Sequence, residues 1–121
     1  MYYNILDFPE ATSDRVDTLK KIIQYAQPDV LVVNELQTLF GANLILANAL
    51  NTGGISYYAK AIFYDGPDTD NMIFYNTQKL GLSKQFQIVT QLRDISEYKM
   101  FYKSQDLAVT NDTTFIWFYS A

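Results

Sequence analysis

An α+β domain is what this sequence predicts: one mixed or antiparallel β-sheet with two helices on one of its faces, equivalent to half of a four-layer α/β sandwich. Three observations lead there. Two strand-then-helix units fill the chain as far as Gly54. From Ser56 onward the pattern becomes a series of strand-like stretches separated by turn residues, and helical periodicity stops. The composition is 49% hydrophobic and 16% aromatic, with ten Tyr and eight Phe, which excludes disorder and favours a core of aromatic and β-branched side chains. Strand-helix units followed by a strand meander place the helices together on one side of a sheet.

The elements follow in order. Tyr2 to Leu6 is short, aromatic and β-branched, and Asp7, Phe8 and Pro9 break it, so a first strand leaves into a loop. Thr12 or Ser13 can cap the helix that follows, with Asp14 and Asp17 in its first turn, where the helix dipole favours anions. Val16, Leu19, Ile23 and Ala26 fall at helical spacing, and Pro28 ends the helix at Gln27 or before. Val30 to Asn34 is an unbroken apolar run with a polar end, the pattern of a strand buried on both faces, and Glu35 stands at its tip. Leu39, Ala42, Ile45, Leu46, Ala49 and Leu50 mark a second helix from Thr38 to about Leu50, closed by Gly53 and Gly54. Strands are then expected at 56–64, 71–75, 80–89, 98–103 and 114–119. The last of these, Thr-Phe-Ile-Trp-Phe-Tyr, is almost wholly apolar. With helices over one sheet face only, it leaves a bare aromatic surface that a partner or further chain should cover.

The totals remove several function classes. At 121 residues the chain is one domain by length, though not necessarily a whole one. A net charge of −4 without any Lys/Arg cluster argues against the broad attraction to phosphate backbones seen in nucleic-acid binders, so such contact would have to be local. Absence of cysteine rules out disulfides and thiolate metal sites. No apolar run reaches the roughly 18 residues needed to cross a bilayer, and no basic-then-apolar signal pattern opens the chain, so it reads as soluble, with the compartment open. Histidine is missing altogether, which removes the commonest general base and neutral metal ligand.

Few residues remain that could carry chemistry. Asn4 interrupts an apolar strand, and a carboxamide buried there needs a hydrogen-bond or metal partner. Glu35 ends the most buried-looking strand, where a carboxylate is costly unless paired or bound to a cation. Taken singly, each has a bland reading: an Asn bonding a nearby loop, and a strand-end Glu facing water. Taken together, they stand at equivalent ends of two neighbouring parallel strands, and one hard oxygen from each would suit Mg²⁺, which retains several waters. Asp65 to Asn71 gathers three carboxylates without EF-hand spacing and reads as a turn that presents Asn71 at the start of a strand. Arg93 either clamps a phosphate with its planar fork or pairs with Asp94 or Glu97. There is no Ser/His/Asp or Cys/His set, no phosphate-cradling glycine loop and no zinc spacing.

Four stretches carry a resemblance: YNILDFP at 3–9, PDVLVVNEL at 28–36, GPDTDNMIFYN at 66–76 and RDISEYKMFYK at 93–103. In that order and spacing residues 1–121 resemble the N-terminal half of the endonuclease/exonuclease/phosphatase family, the fold of pancreatic deoxyribonuclease, in the version common among bacterial secreted or surface members. The resemblance implies a divalent cation, Mg²⁺ or else Mn²⁺ or Ca²⁺, held by Asn4 and Glu35. It implies a phosphate pocket lined by Asn71 and Arg93, and hydrolysis of a phosphoester, either nucleic acid or a small molecule. The family's His/Asp pair and Asp-x-Asn motif have no counterpart here. The chain is therefore expected to be a divalent-metal-dependent phosphoesterase or nuclease part that is inactive by itself. The alternative is a non-catalytic module that self-associates through its aromatic sheet, the same surface that a missing C-terminal half would otherwise cover.

Overall fold

A computed structural model describes residues 1–9, 15–110 and 113–121. The first unit is β1 (Tyr2–Phe8), α1 (Arg15–Ala26) and β2 (Val30–Leu36). Val16, Leu19 and Ile23 form the buried stripe of α1, as their spacing predicts, whereas Ala26 is exposed. The helix stops because Gln27 turns left-handed, φ 45°, while its N–H still closes on Ile23 O at 2.7 Å, and Pro28 cannot extend it. Of the acidic first turn, Asp17 is present; the capping positions Thr12 and Ser13, with Asp14, lie outside the described residues.

The second helix follows as α2 (Leu39–Leu44), which runs on without a break into a π-helical segment (Ile45–Leu50) whose end is marked by Asn51 N bonding Leu46 O at 2.7 Å. Thr38 caps it, its hydroxyl accepting from Gly41 N at 3.1 Å. Gly41 lets α2 lie close to the ends of β1 and β2. A Cβ there would stand 3.0 Å from Leu36 Cδ1, 3.1 Å from Pro9 Cδ and 3.2 Å from Phe8 Cδ1. Gly41→Ala, helpful to an isolated helix, is therefore expected to lower stability by about 1–3 kcal/mol through overpacking, read as a fall in the urea midpoint. A midpoint that rises would show the contact to be soft.

The remaining elements are β3 (Tyr58–Lys60), β4 (Asp70–Asn76), β5 (Leu80–Ile88), β6 (Ile95–Tyr102), α3 (Leu107–Thr110) and β7 (Phe115–Ser120). The short α3 corrects the expectation that helices stop at Gly54. β3 is shorter than the expected 56–64 strand because two side-chain amides replace the ladder at its ends. Asn51 accepts from Tyr58 N at 3.0 Å and donates to Tyr58 O at 2.9 Å; Gln85 does the same for Ile62 at 3.0 and 2.7 Å.

The strands form two sheets, where the sequence reading expects one. The first has the order β1-β2-β4-β3, with β1 and β2 parallel and the other pairs antiparallel; the second is the antiparallel set β5-β6-β7. Leu31, Val32 and Val33 of β2 and Met72, Ile73 and Phe74 of β4 are all fully buried, so both faces of the first sheet are covered. Val16, Leu19, Ile23, Ile45 and Leu50 come from the helical side, and Leu80, Tyr98 and Met100 from the second sheet, all in one core. Helices, first sheet and second sheet are thus successive layers, consistent with part of an α/β sandwich. The bare aromatic surface is consequently not the second face of the helix-bearing sheet but the outer face of β5-β6-β7. Among the described residues no helix is long and apolar enough to cross a membrane.

Candidate functional site

β1 and β2 lose their regular ladder at the same level. Pairing runs Tyr2 with Val32, Tyr3 with Val33 and Asn4 with Asn34, then resumes only at Phe8 with Leu36. The β2–β4 ladder skips likewise between Val33 and Leu36. At this level Leu6, Asp7 and Glu35 have φ of 45°, 51° and 61°, a left-handed backbone that residues with a Cβ rarely adopt. Bulges of this kind re-aim side chains. Strict alternation would send Asn34 and Glu35 to opposite faces, yet both meet groups of the second sheet. Asn34 Nδ2 lies 2.7 Å from Asn71 Oδ1, 2.8 Å from Ser120 Oγ and 2.9 Å from Ala121 O. Glu35 Oε1 lies 3.6 Å from Arg93 Nη1, in the loop between β5 and β6.

The four residues singled out in the sequence fare differently. Glu35 has a side chain only 17% exposed, and its cationic neighbour stands beyond hydrogen-bond range, so the carboxylate is shielded but loosely compensated. Arg93 also donates through Nε to Asp68 Oδ2 at 3.2 Å. It therefore bridges the acidic loop and the tip of β2, and pairs with Glu35 and Asp68 rather than with the Asp94 or Glu97 that sequence proximity offers. Asn71 is buried, and its amide is consumed in tying strands together: Nδ2 donates to Asp94 O at 3.2 Å and Ser120 O at 3.1 Å, and Oδ1 accepts from Asn34.

Asn4 corrects its own premise. It is exposed, not buried, and its Oδ1 accepts from Leu6 N at 2.8 Å, stabilising the bulge in its own strand. Its side chain lines a cavity of about 330 Å³ with Arg15, Thr18 and Leu19 of α1. The ladder sets it one position from Glu35 on the neighbouring strand, but among the described residues no hydrogen bond or ion pair joins the two.

Sequence reasoning passed over Asn34, Ser120 and Asp68. A signal for the first was present: Asn34 and Glu35 are consecutive polar residues at the end of an apolar run, where a regular strand would hide one of them.

As a cation site the arrangement offers one shielded carboxylate, Glu35, and on the neighbouring strand the Asn4 amide oxygen, which already accepts from Leu6 N. Among the described residues no three acidic side chains converge on one point. Such a sparse donor set fits Mg²⁺, which keeps its waters, better than Ca²⁺, which takes six to eight oxygens.

No family model and no curated protein matches the sequence. Solved structures do match the fold. D. rerio TDP2 humanized by 14 mutations aligns with a TM-score of 0.68 at 15% identity, covering 98% of this chain and 44% of that one. D. rerio TDP2 complexed with single strand DNA product aligns with a TM-score of 0.68 at 14% identity, with 98% and 43% covered. The human Nocturnin catalytic domain with bound sulfate anion aligns at 0.57 and 18% identity, with 97% and 47% covered. The chain thus spans less than half the length of each of these structures, and it has the fold of the endonuclease/exonuclease/phosphatase enzymes over that part.

Proposed function

We propose that this chain is the N-terminal, metal-carboxylate-bearing part of a divalent-metal-dependent phosphoesterase whose substrate is a nucleic-acid phosphodiester. The observation that carries the reading is Glu35: a shielded carboxylate on left-handed backbone, where the ladders on both sides of β2 lose register together. Backbone strain of this kind, at about 1–3 kcal/mol per residue, persists where function selects the geometry. The DNA-bound structural neighbour supports nucleic acid as the substrate class.

Glu35 and Asn4 would hold Mg²⁺, which when bound supplies positive charge against a phosphoryl oxygen and lowers the pKa of a coordinated water. The chain's own contribution is positional. Arg93, with its guanidinium half-exposed beside Glu35, presents donors to a phosphate, and Asp68 fixes the plane of its fork through Nε. Asn34, Asn71 and Ser120 lock the tips of β2, β4 and β7 so that Glu35 and Arg93 keep their separation. With no histidine in the 121 residues, the commonest general base is missing, and this chain alone is expected to leave DNA intact.

Calorimetric titration of Mg²⁺ or Mn²⁺ into the wild-type chain and into Glu35→Ala tests the assignment. Heat in the first and none in the second is the expected pair of results. Equal heats, or none in either, reject Glu35 as a ligand.

A further inference from the structure

Glu35 has one ion-pair neighbour among the described residues. Arg93 Nη1 stands 3.6 Å from its Oε1, beyond hydrogen-bond range. The same guanidinium donates through Nε to Asp68 Oδ2 at 3.2 Å. One cation thus serves two carboxylates of unequal standing. Asp68 has a side chain 54% exposed, so water compensates much of its charge, whereas Glu35 is shielded and gains more from a positive neighbour. The backbone is held on both sides of the pair. Glu35 sits in the register break of β2, and the loop that carries Arg93 is closed by Thr90, whose Oγ1 donates to Arg93 O at 2.6 Å and whose N donates to Asp94 Oδ1 at 3.0 Å. What is left free to turn is the Arg93 side chain, half-exposed and anchored at its Nε.

We propose that Arg93 is the internal rival of the divalent cation at Glu35. Without metal, its guanidinium neutralises the carboxylate; with metal, it gives Glu35 up and pivots on Asp68 rather than leaving the site. This exchange presupposes that Glu35 is a metal ligand, as proposed above. Charge forces it. Glu35 carries one negative charge, and Arg93 together with Mg²⁺ would bring three positive ones against it, so the guanidinium and the ion repel each other where solvent screens them least. Asp68 supplies the negative charge that Arg93 then needs and keeps the guanidinium within reach, which makes Asp68 a positioning residue. Nη1, turned away from Glu35, becomes a donor that a phosphate can meet. Metal at Glu35 thereby readies Arg93 for the anion, and linkage requires the anion to favour the metal by the same factor.

Calorimetric titration of Mg²⁺ tests the exchange on the 121-residue chain, on Arg93→Gln, Asp68→Asn and their double variant, and on Glu35→Ala, with urea midpoints to confirm that each is folded. Arg93→Gln loses the rival and is expected to bind Mg²⁺ about fivefold more tightly than wild type. Asp68→Asn leaves Arg93 to Glu35 alone and is expected to bind about two- to fivefold more weakly. In the Arg93→Gln background, Asp68→Asn is expected to change the affinity by less than about twofold, because Asp68 acts through the guanidinium. An Arg93→Gln affinity equal to or below that of wild type overturns the proposal. So does an Asp68→Asn effect of the same size in both backgrounds, which would mean that Asp68 attracts the ion by its own charge through space. In either case, heat lost in Glu35→Ala leaves Glu35 standing as a ligand and removes the rivalry alone. Equal heats in wild type and Glu35→Ala remove the ligand and the rivalry together.

Discussion

Replacing Asn71 by Ala is expected to cost the fold about 2–4 kcal/mol, measured as a fall in urea stability. The amide is buried and donates to two backbone carbonyls, Asp94 O just before β6 and Ser120 O on β7, while it accepts from Asn34. A buried acceptor left without a partner costs about 1–3 kcal/mol, and the alanine removes the donor from the buried Ser120 O and from the half-buried Asp94 O. Asn34 itself loses less, since Ser120 Oγ at 2.8 Å and Ala121 O at 2.9 Å remain within reach. The same truncation at Asn4 removes one exposed bond to Leu6 N, so a cost of about 0.5–1.5 kcal/mol is expected there. The contrast separates two roles that look alike in the sequence. If Asn71→Ala proves nearly neutral for stability, the amide is not structural, and its place as a phosphate-pocket residue regains weight. If the loss is as large as expected, Asn71 serves the site by holding β4, β6 and β7 together.

That contrast also shows what the sequence could reveal. Val30 to Asn34 announces a strand buried on both faces because every residue from Leu31 to Val33 is apolar, and each is indeed fully buried. The α1 stripe is legible for the same reason, as periodicity reports burial directly. Division of the strands into two sheets is not legible, because pairing is a long-range choice. β6 alternates its burial just as an extension of the first sheet would, and only contacts in space, such as Gln85 with Ile62, reveal the second layer. The bulge at Glu35 is hidden more deeply. A left-handed φ usually announces itself through Gly or Asn, whereas here it falls on a glutamate. Asn4 is exposed, against the sequence expectation, for a related reason. Its strand reads as apolar, but the ladder loses register just after it, and the side chain turns outward to support that irregularity. Positions of functional interest are those where the local rules fail, so the rules could nominate Glu35 by its cost but could not describe how it is held.

Asp70→Asn is expected to stabilise the chain at neutral pH by about 1–2 kcal/mol and to lose that advantage in acid. Asp70 is buried at the start of β4. Its Oδ1 accepts from Gly66 N at 2.8 Å, while its Oδ2 is buried without a partner. Burial raises its pKa above the ordinary 3.8, the Gly66 bond offsets part of that rise, and the nearby charges of Asp65, Asp94 and Asp68 add to it. The sign follows from linkage. For an acid whose pKa is higher in the folded state, the fold prefers the protonated form. No stability is lost below the unfolded value of 3.8; the cost grows as pH rises from there through the folded pKa and is complete above it. Asparagine keeps the oxygen that accepts from Gly66, carries no charge at any pH, and offers two N–H donors in a neighbourhood of three carboxylates. Urea midpoints of the two proteins should therefore differ at neutral pH and converge below 3.8, where Asp70 is neutral in both states and the other acids cancel in the difference. A variant weaker than wild type at neutral pH would mean that the charge on Asp70 is compensated in the fold, and that the acidic loop feeding β4 is held together by that charge rather than strained by it.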